Sequence, residues 1–135
     1  DMFLFLGGDT KSITSTSRQW KEEMTKDSFH SLVEFENGAV GQYISNWSSP
    51  GGWSVKMYGN GVRVDIAPME EGKVFYSDGR VEELVVSDKD KDFKPGIYKQ
   101  NRMFVDACLG KGKVSYPAAT LKDSLKVMEF IEDIL

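Results

Sequence analysis

The hydrophobic and polar positions in the first half of the chain alternate with the two-residue period of a β-strand. Along Ser28–Glu36 one side of the predicted strand carries Phe29, Val33 and Phe35 and the other His30, Glu34 and Glu36. Leu32 breaks the alternation, so we expect the second side to be partly covered. Asn37-Gly38 follows, and both residues tolerate the positive φ of a tight hairpin turn. Ala39–Trp47 is therefore predicted to return as an antiparallel strand.

Five further strands are predicted, and glycine turns punctuate the part of the chain after Trp47. The strands lie at Lys11–Ser17, Trp53–Tyr58, Val62–Ile66, Lys73–Tyr76 and Val81–Val86, with turns at Gly51-Gly52, Gly59-Asn60-Gly61 and Asp78-Gly79. The polar stretch Arg18–Lys26, which contains Trp20, is predicted to be a long hairpin loop.

The period changes to that of a helix in the last third of the chain. One helical face collects Ile97, Asn101, Phe104, Val105 and Cys108, and Gly110 and Gly112 end this helix. Thr120 and Asp123 have the spacing of a capping box, which opens a last helix that runs to Leu135. Its predicted apolar stripe consists of Leu121, Leu125, Met128 and Ile131. The charged segment Ser87–Pro95 is predicted to be a connector.

Strands followed by helices predict an α+β fold: an open, mainly antiparallel sheet with helices packed on one face. Residues 1–135 are long enough for one domain with its own core. The apolar run Met2–Leu6 before Gly7-Gly8 is typical of the end of a helix with a glycine C-cap, and we expect it to be cut from a longer chain.

Composition excludes several classes of partner. The net charge is −4 and the 17 basic residues are scattered, so no basic stripe is present to follow a nucleic acid backbone. The longest apolar run, Met2–Leu6, is too short to span a membrane. Cys108 is the single cysteine, so an internal disulfide is impossible and a reducing cytoplasm is indicated. Its place on an apolar helix face predicts a buried, inert thiol.

No complete catalytic constellation is visible in the sequence. His30 is the only histidine and has no second histidine or cysteine beside it, so we interpret it as a surface or inter-strand residue rather than a metal ligand. Gly59-Asn60-Gly61 lacks the third glycine of a dinucleotide loop and leads into a strand, so we interpret it as a turn. A stand-alone enzyme is therefore a poor hypothesis.

Aromatic and hydroxyl side chains around one flexible loop are the best candidate binding site. The residues are Trp47, Ser48, Ser49, Trp53 and Tyr98. Indole faces suit the C–H faces of a sugar or polyol, and hydroxyl groups suit its rim. The alternative is that both tryptophans belong to the core.

Several segments together resemble the C-terminal domain of the Gfo/Idh/MocA (glucose–fructose oxidoreductase / inositol dehydrogenase) family. The matching residues, in order, are Asp1 with Leu6-Gly7-Gly8, Phe35–Gly41, Tyr58–Gly61, Gln100–Ala107, and Pro117 before the final helix. The match spans nearly the whole chain.

The resemblance implies a substrate-side and oligomerisation domain of an NAD(P)-dependent oxidoreductase or dehydrogenase acting on a sugar, inositol or related polyol. It implies that NAD or NADP binds to an N-terminal Rossmann domain absent from this chain, together with the catalytic lysine and histidine. The chain alone is then expected to be inactive and to bind neither cofactor nor metal. It is also expected to self-associate through the open sheet face, which carries Tyr43 or Val40 depending on register.

A non-enzymatic binding or scaffold module that uses an open sheet face remains the alternative function. A Rossmann fingerprint upstream in the parent gene would favour the oxidoreductase. The particular substrate, the choice between NAD and NADP and the oligomer size stay open.

Overall fold

The computed structural model describes residues 1–92, 94–115 and 117–135 as two compact units. The first comprises Asp1–Pro50 and Ala119–Leu135, and the second comprises Gly51–Ala118.

The first unit contains a three-stranded antiparallel sheet in the order β1-β2-β3. The elements are α1 (Met2–Gly7), β1 (Thr10–Arg18), β2 (Ser28–Phe35), β3 (Val40–Asn46) and α4 (Leu121–Ile134). The predicted hairpin between β2 and β3 forms with a φ of 86° at Gly38, whereas Asn37 does not adopt a positive φ. The register pairs His30 with Ile44 and Glu34 with Val40, so these four residues share one sheet face.

The core of the first unit lies on the opposite face of this sheet. Val33 and Phe35 of β2 are buried together with Phe130 and Ile134 of α4. The ring of Phe3 in α1 packs among them, 5.5 Å from Phe35 and 5.6 Å from Phe130 between ring centroids. The alternation predicted for β2 is confirmed, and it places its apolar residues against both helices.

The predicted apolar stripe of α4 is wrong. Helix α4 begins at the predicted capping box, where Thr120 accepts from Asp123 N–H and the Asp123 carboxylate accepts from Thr120 N–H. However, Phe130 and Ile134 are the buried residues of this helix, whereas Leu121, Leu125, Met128 and Ile131 are exposed. The helix has apolar residues around most of its circumference, and the aromatic contact with Phe3 decides which face is buried.

The second unit contains a four-stranded antiparallel meander in the order β4-β5-β6-β7. Its strands are β4 (Val55–Gly59), β5 (Val62–Ile66), β6 (Gly72–Tyr76) and β7 (Val81–Leu84). Gly61 and Gly79 adopt positive φ values of 74° and 89° at the predicted turns. Arg63 forms an ion pair with Asp65 and lies 4.0 Å from the centroid of the Phe75 ring.

Two helices follow the meander. The charged segment predicted to be a connector instead forms the short helix α2 (Asp88–Asp92), in which the Asp88 carboxylate is paired with Lys91 at i+3. Phe93, within the same predicted connector, lies outside the described residues. The predicted helix α3 (Ile97–Cys108) is confirmed, but Cys108 is exposed, so the expected burial of its thiol is wrong.

The α+β class with open antiparallel sheets and helices is confirmed. The strands belong to two sheets rather than one continuous sheet, because Ser48-Ser49-Pro50-Gly51-Gly52 interrupts the pairing after β3. Within the described residues, no helix is both long and apolar enough to cross a membrane.

Candidate functional site

The segment after β3 carries three of the five predicted site residues in the first unit. Trp47 is 74% exposed and therefore is not part of the core. Ser48 is half-buried and Ser49 is exposed. The backbone of Trp47 is fixed, since its N–H donates to the carbonyl oxygen of Asp27 over 2.8 Å. The indole is therefore presented to solvent from an anchored backbone.

Asp27 is the centre of the hydrogen bonds that hold this segment. Its side chain is fully buried, although it is a carboxylate. Oδ2 accepts from the Ser48 hydroxyl and, over 3.2 Å, from the N–H of Lys21, while Oδ1 accepts from the N–H of Trp20 over 2.8 Å. A buried carboxylate with three donors is satisfied rather than orphaned.

These donors also determine the protonation state of Asp27. The Ser48 hydrogen bond lowers the pKa of the carboxyl below its ordinary value, burial opposes this, and the Trp20 and Lys21 N–H groups add to the lowering. Asp27 is thus an anionic acceptor at neutral pH with its oxygens already engaged. It suits a positioning role and not that of a general base.

The β1–β2 loop carries a further exposed indole that sequence reasoning missed as a site residue. Trp20 is 73% exposed, and its backbone N–H is bound to Asp27. Short polar residues next to strands often accept from loop N–H groups, so Asp27 before β2 is a signal of an ordered loop. The third donor to Asp27, the hydroxyl of Ser48, is 21 residues away and could not be read from the sequence.

Trp53 and Tyr98, the other two predicted site residues, lie in the second unit. Trp53 precedes β4 and is 85% exposed, so it too is not a core residue. Tyr98 stands in the first turn of α3. Its hydroxyl accepts from Nζ of Lys89 over 3.3 Å, and the same ammonium lies 4.8 Å from the centroid of the ring. Whether these two residues share a site with Trp47 stays a prediction.

His30 takes part in a polar network at the end of the first sheet. The hydroxyl of buried Ser28 donates to Oδ1 of Asn46 over 2.6 Å and lies 3.0 Å from Nε2 of His30. Because Ser28 is 1% exposed and already donates to Asn46, it does not offer an accessible nucleophile. Among the described residues, no group of three metal-binding side chains is found. His30 itself is exposed and lies opposite Ile44 of β3.

Gly59-Asn60-Gly61 joins β4 directly to β5. A dinucleotide loop instead leads from a strand into a helix, whose N-terminus binds the pyrophosphate. This turn therefore does not fit NAD or NADP.

Solved structures share the fold of this chain at low sequence identity. An aldose-aldose oxidoreductase from Caulobacter crescentus, complexed with glycerol, has a TM-score of 0.77 at 16% identity, over 98% of this chain and 40% of its own. A proposed NADPH-dependent oxidoreductase from Desulfitobacterium hafniense has a TM-score of 0.74 at 16% identity, over 97% and 40%. An oxidoreductase from Agrobacterium radiobacter, in complex with NAD⁺, L-tartaric acid and magnesium, has a TM-score of 0.70 at 14% identity, over 96% and 41%.

The resemblance identified from the sequence is confirmed at the level of the fold. The chain has the fold of part of these oxidoreductases and spans about 40% of their length. No protein-family profile and no curated protein sequence matches the chain.

Proposed function

We propose that this chain is the substrate-side part of an NAD(P)-dependent oxidoreductase that acts on a sugar, inositol or related polyol. The observation that carries the proposal is the exposed indole of Trp47 beside Ser48 and Ser49, on a backbone anchored to buried Asp27. The fold shared with oxidoreductases of known structure supports the same class of protein.

The chemistry of this segment is recognition. An indole face offers a flat apolar surface for the C–H groups of a sugar ring, and the Ser49 hydroxyl can both donate to and accept from ring hydroxyls. The cofactor and the groups that move the hydroxyl proton would belong to a part of the protein outside this chain. Trp47 and its neighbours would hold the carbinol carbon of the substrate next to these groups. Such orientation of the reacting atoms contributes to the rate.

The proposal is tested by steady-state kinetics on the full-length protein of the parent gene, with NAD and NADP and a panel of sugars and inositols. Trp47→Ala should raise KM for the polyol or lower kcat roughly three- to tenfold, because it removes one stacking surface. Leu121→Ala, which truncates an exposed residue on α4, is the control. Absence of polyol oxidation with either cofactor would overturn the proposal.

A second candidate function, a binding or scaffold module, is favoured by the open face of the first sheet. Leu32, Val40 and Ile44 lie opposite the helix-covered face and are 47%, 65% and 60% exposed. Three apolar side chains on one sheet face suit a partner surface. Under the leading proposal the same face would bind a second copy of the chain, and the protein would be a homo-oligomer.

A further inference from the structure

We propose that Trp20 is a second aromatic contact for the polyol and that Asp27 is the positioning residue that places it beside Trp47. This inference rests on the function proposed above and deepens it by one recognition element, the β1–β2 loop. Trp20 and Trp47 are 27 positions apart in the sequence, and Asp27 is the residue to which the backbones of both are bound.

The hydrogen bonds of Asp27 connect two loops at the same end of the first sheet. Trp20 N–H donates to the side chain of Asp27 and Trp47 N–H donates to its main chain, each over 2.8 Å. The backbone nitrogens of Trp20 and Trp47 are therefore both hydrogen-bonded to oxygens of Asp27. Standard covalent dimensions then limit the distance between these two nitrogens to about 10 Å. Asp27 N–H in turn donates to the carbonyl of Arg18 over 3.1 Å, at the end of β1.

The β1–β2 loop is itself ordered by hydrogen bonds, so the exposure of Trp20 belongs to a defined conformation. Nε2 of Gln19 donates to the carbonyl oxygens of Lys21 and Glu22, each over 3.2 Å. Met24 N–H donates to Lys21 as well, over 3.2 Å. A pre-ordered loop loses less conformational entropy when a ligand binds.

The surroundings of the two indoles favour a polyhydroxylated ligand. Indoles provide flat apolar faces, while exposed Lys21, Glu22 and Ser49 provide donors and acceptors on the same two loops. Sugars and inositols present this combination of C–H faces and hydroxyl edges. A lipid surface is disfavoured, because the loop alternates Lys21 and Lys26 with Glu22 and Glu23 and so lacks the basic cluster that binds anionic lipids.

The first test is a titration of this chain with myo-inositol and D-glucose at millimolar concentration, followed through the indole N–H resonances of the three tryptophans. The inference expects the Trp20 and Trp47 resonances to move together along one saturation curve. In Trp20→Ala the Trp47 response should weaken roughly three- to tenfold in affinity, and Trp20→Phe should restore most of it. Leu121→Ala is the control.

The second test concerns Asp27. Asp27→Asn replaces one acceptor oxygen by an amide nitrogen, which cannot accept from Ser48 or Lys21. Ser48→Ala removes one donor and serves as the second variant if Asp27→Asn does not fold. Both should broaden or shift the Trp20 and Trp47 indole resonances without ligand. In the full-length protein, both should raise KM for the polyol while KM for NAD(P) is unchanged.

The outcomes separate this inference from the function on which it rests. The role of Trp20 is overturned if polyol shifts the indole resonance of Trp47 but not that of Trp20. It is also overturned if Trp20→Ala leaves the KM for the polyol unchanged. Either result leaves the proposed function intact. The positioning role of Asp27 is overturned if the indole resonances of Trp20 and Trp47 are unchanged in Asp27→Asn and Ser48→Ala. No response of either indole, together with no polyol oxidation by the full-length protein, overturns both proposals.

Discussion

At the scale of single residues, two glycines allow the closest packing in the first unit. A Cβ on Gly7 would lie 2.1 Å from the Phe35 ring, and a Cβ on Gly41 would lie 2.5 Å from the Phe3 ring. Both are well below the distances at which carbon atoms pack. The glycines are therefore required by the aromatic core and not by a turn, since neither has a positive φ.

Gly41→Ala should destabilise the fold by about 1–3 kcal/mol, because the new methyl group must displace the ring of Phe3 from its place against Phe35. Chemical denaturation followed by circular dichroism measures this loss. Gly112→Ala is the matched control, since no described atom lies within 4 Å of its added Cβ. Equal effects of the two substitutions would contradict the close approach.

The carboxyl of Asp27 should make stability depend on pH. Its pKa in the folded protein is lowered from 3.8, first by the Ser48 hydrogen bond. A lowered pKa means that the folded state favours the ionised form of Asp27. The stability that this carboxylate contributes is therefore complete above its pKa in the unfolded chain, and it is lost as the pH falls through its pKa in the folded protein.

Ser48→Ala should therefore lower the melting temperature near neutral pH. The melting temperatures of the variant and the parent chain should converge as the pH falls below 3.8. Thermal melts across this range measure the difference. Ser49→Ala is the matched control for stability, since Ser49 is the exposed neighbour. A difference between parent and Ser48→Ala that is constant with pH would contradict the ionic character of this hydrogen bond.

At the scale of elements, α4 is held in the first unit by its buried residues Phe130 and Ile134 and by an ion pair on the surface. Phe130 lies against Phe3, and Nζ of Lys126 donates to the carboxylate of Asp9 over 2.6 Å. That pair lowers the pKa of Asp9 and raises the pKa of Lys126. Both partners of the ion pair are substantially exposed, so the burial of Phe130 and Ile134 contributes more to the attachment of the helix.

Phe130→Ala should cost about 3–5 kcal/mol of folding free energy, because it leaves a cavity among buried rings. Leu121→Ala, on the same helix but 91% exposed, should change stability by less than about 0.5 kcal/mol. Urea denaturation of both variants measures the contrast. A larger effect for Leu121→Ala than for Phe130→Ala would show that the apolar stripe containing Leu121 is the buried one.

At the scale of the whole molecule, the open sheet face predicts self-association. Ile44→Lys places a charge among Leu32 and Val40 and should reduce the mass measured by light scattering to that of a monomer. Leu121→Lys introduces the same charge on α4 and should leave the mass unchanged. A parent chain that is strictly monomeric at high concentration would rule out the interface.

The accuracy of the sequence predictions follows the range of the interactions involved. The hairpin turn at Gly38, the helix α3 and the capping box at Thr120 were predictable because residues a few positions apart determine them. The short helix α2 was missed, since its charged sequence carries no apolar period. The exposed Cys108 was missed because an apolar pattern does not show whether a neighbouring element covers it.

The sequence by itself determined the α+β class, the order of the seven strands and of the helices other than α2, and the presence of aromatic and hydroxyl residues next to Ser48–Gly52 in the chain. These properties depend on local backbone preferences and on two- and 3.6-residue periods. Only the tertiary structure decided which face of α4 is buried, and that Asp27 binds both Trp20 and Ser48. These contacts join residues distant in the chain, and their energies depend on packing and burial that no local pattern contains.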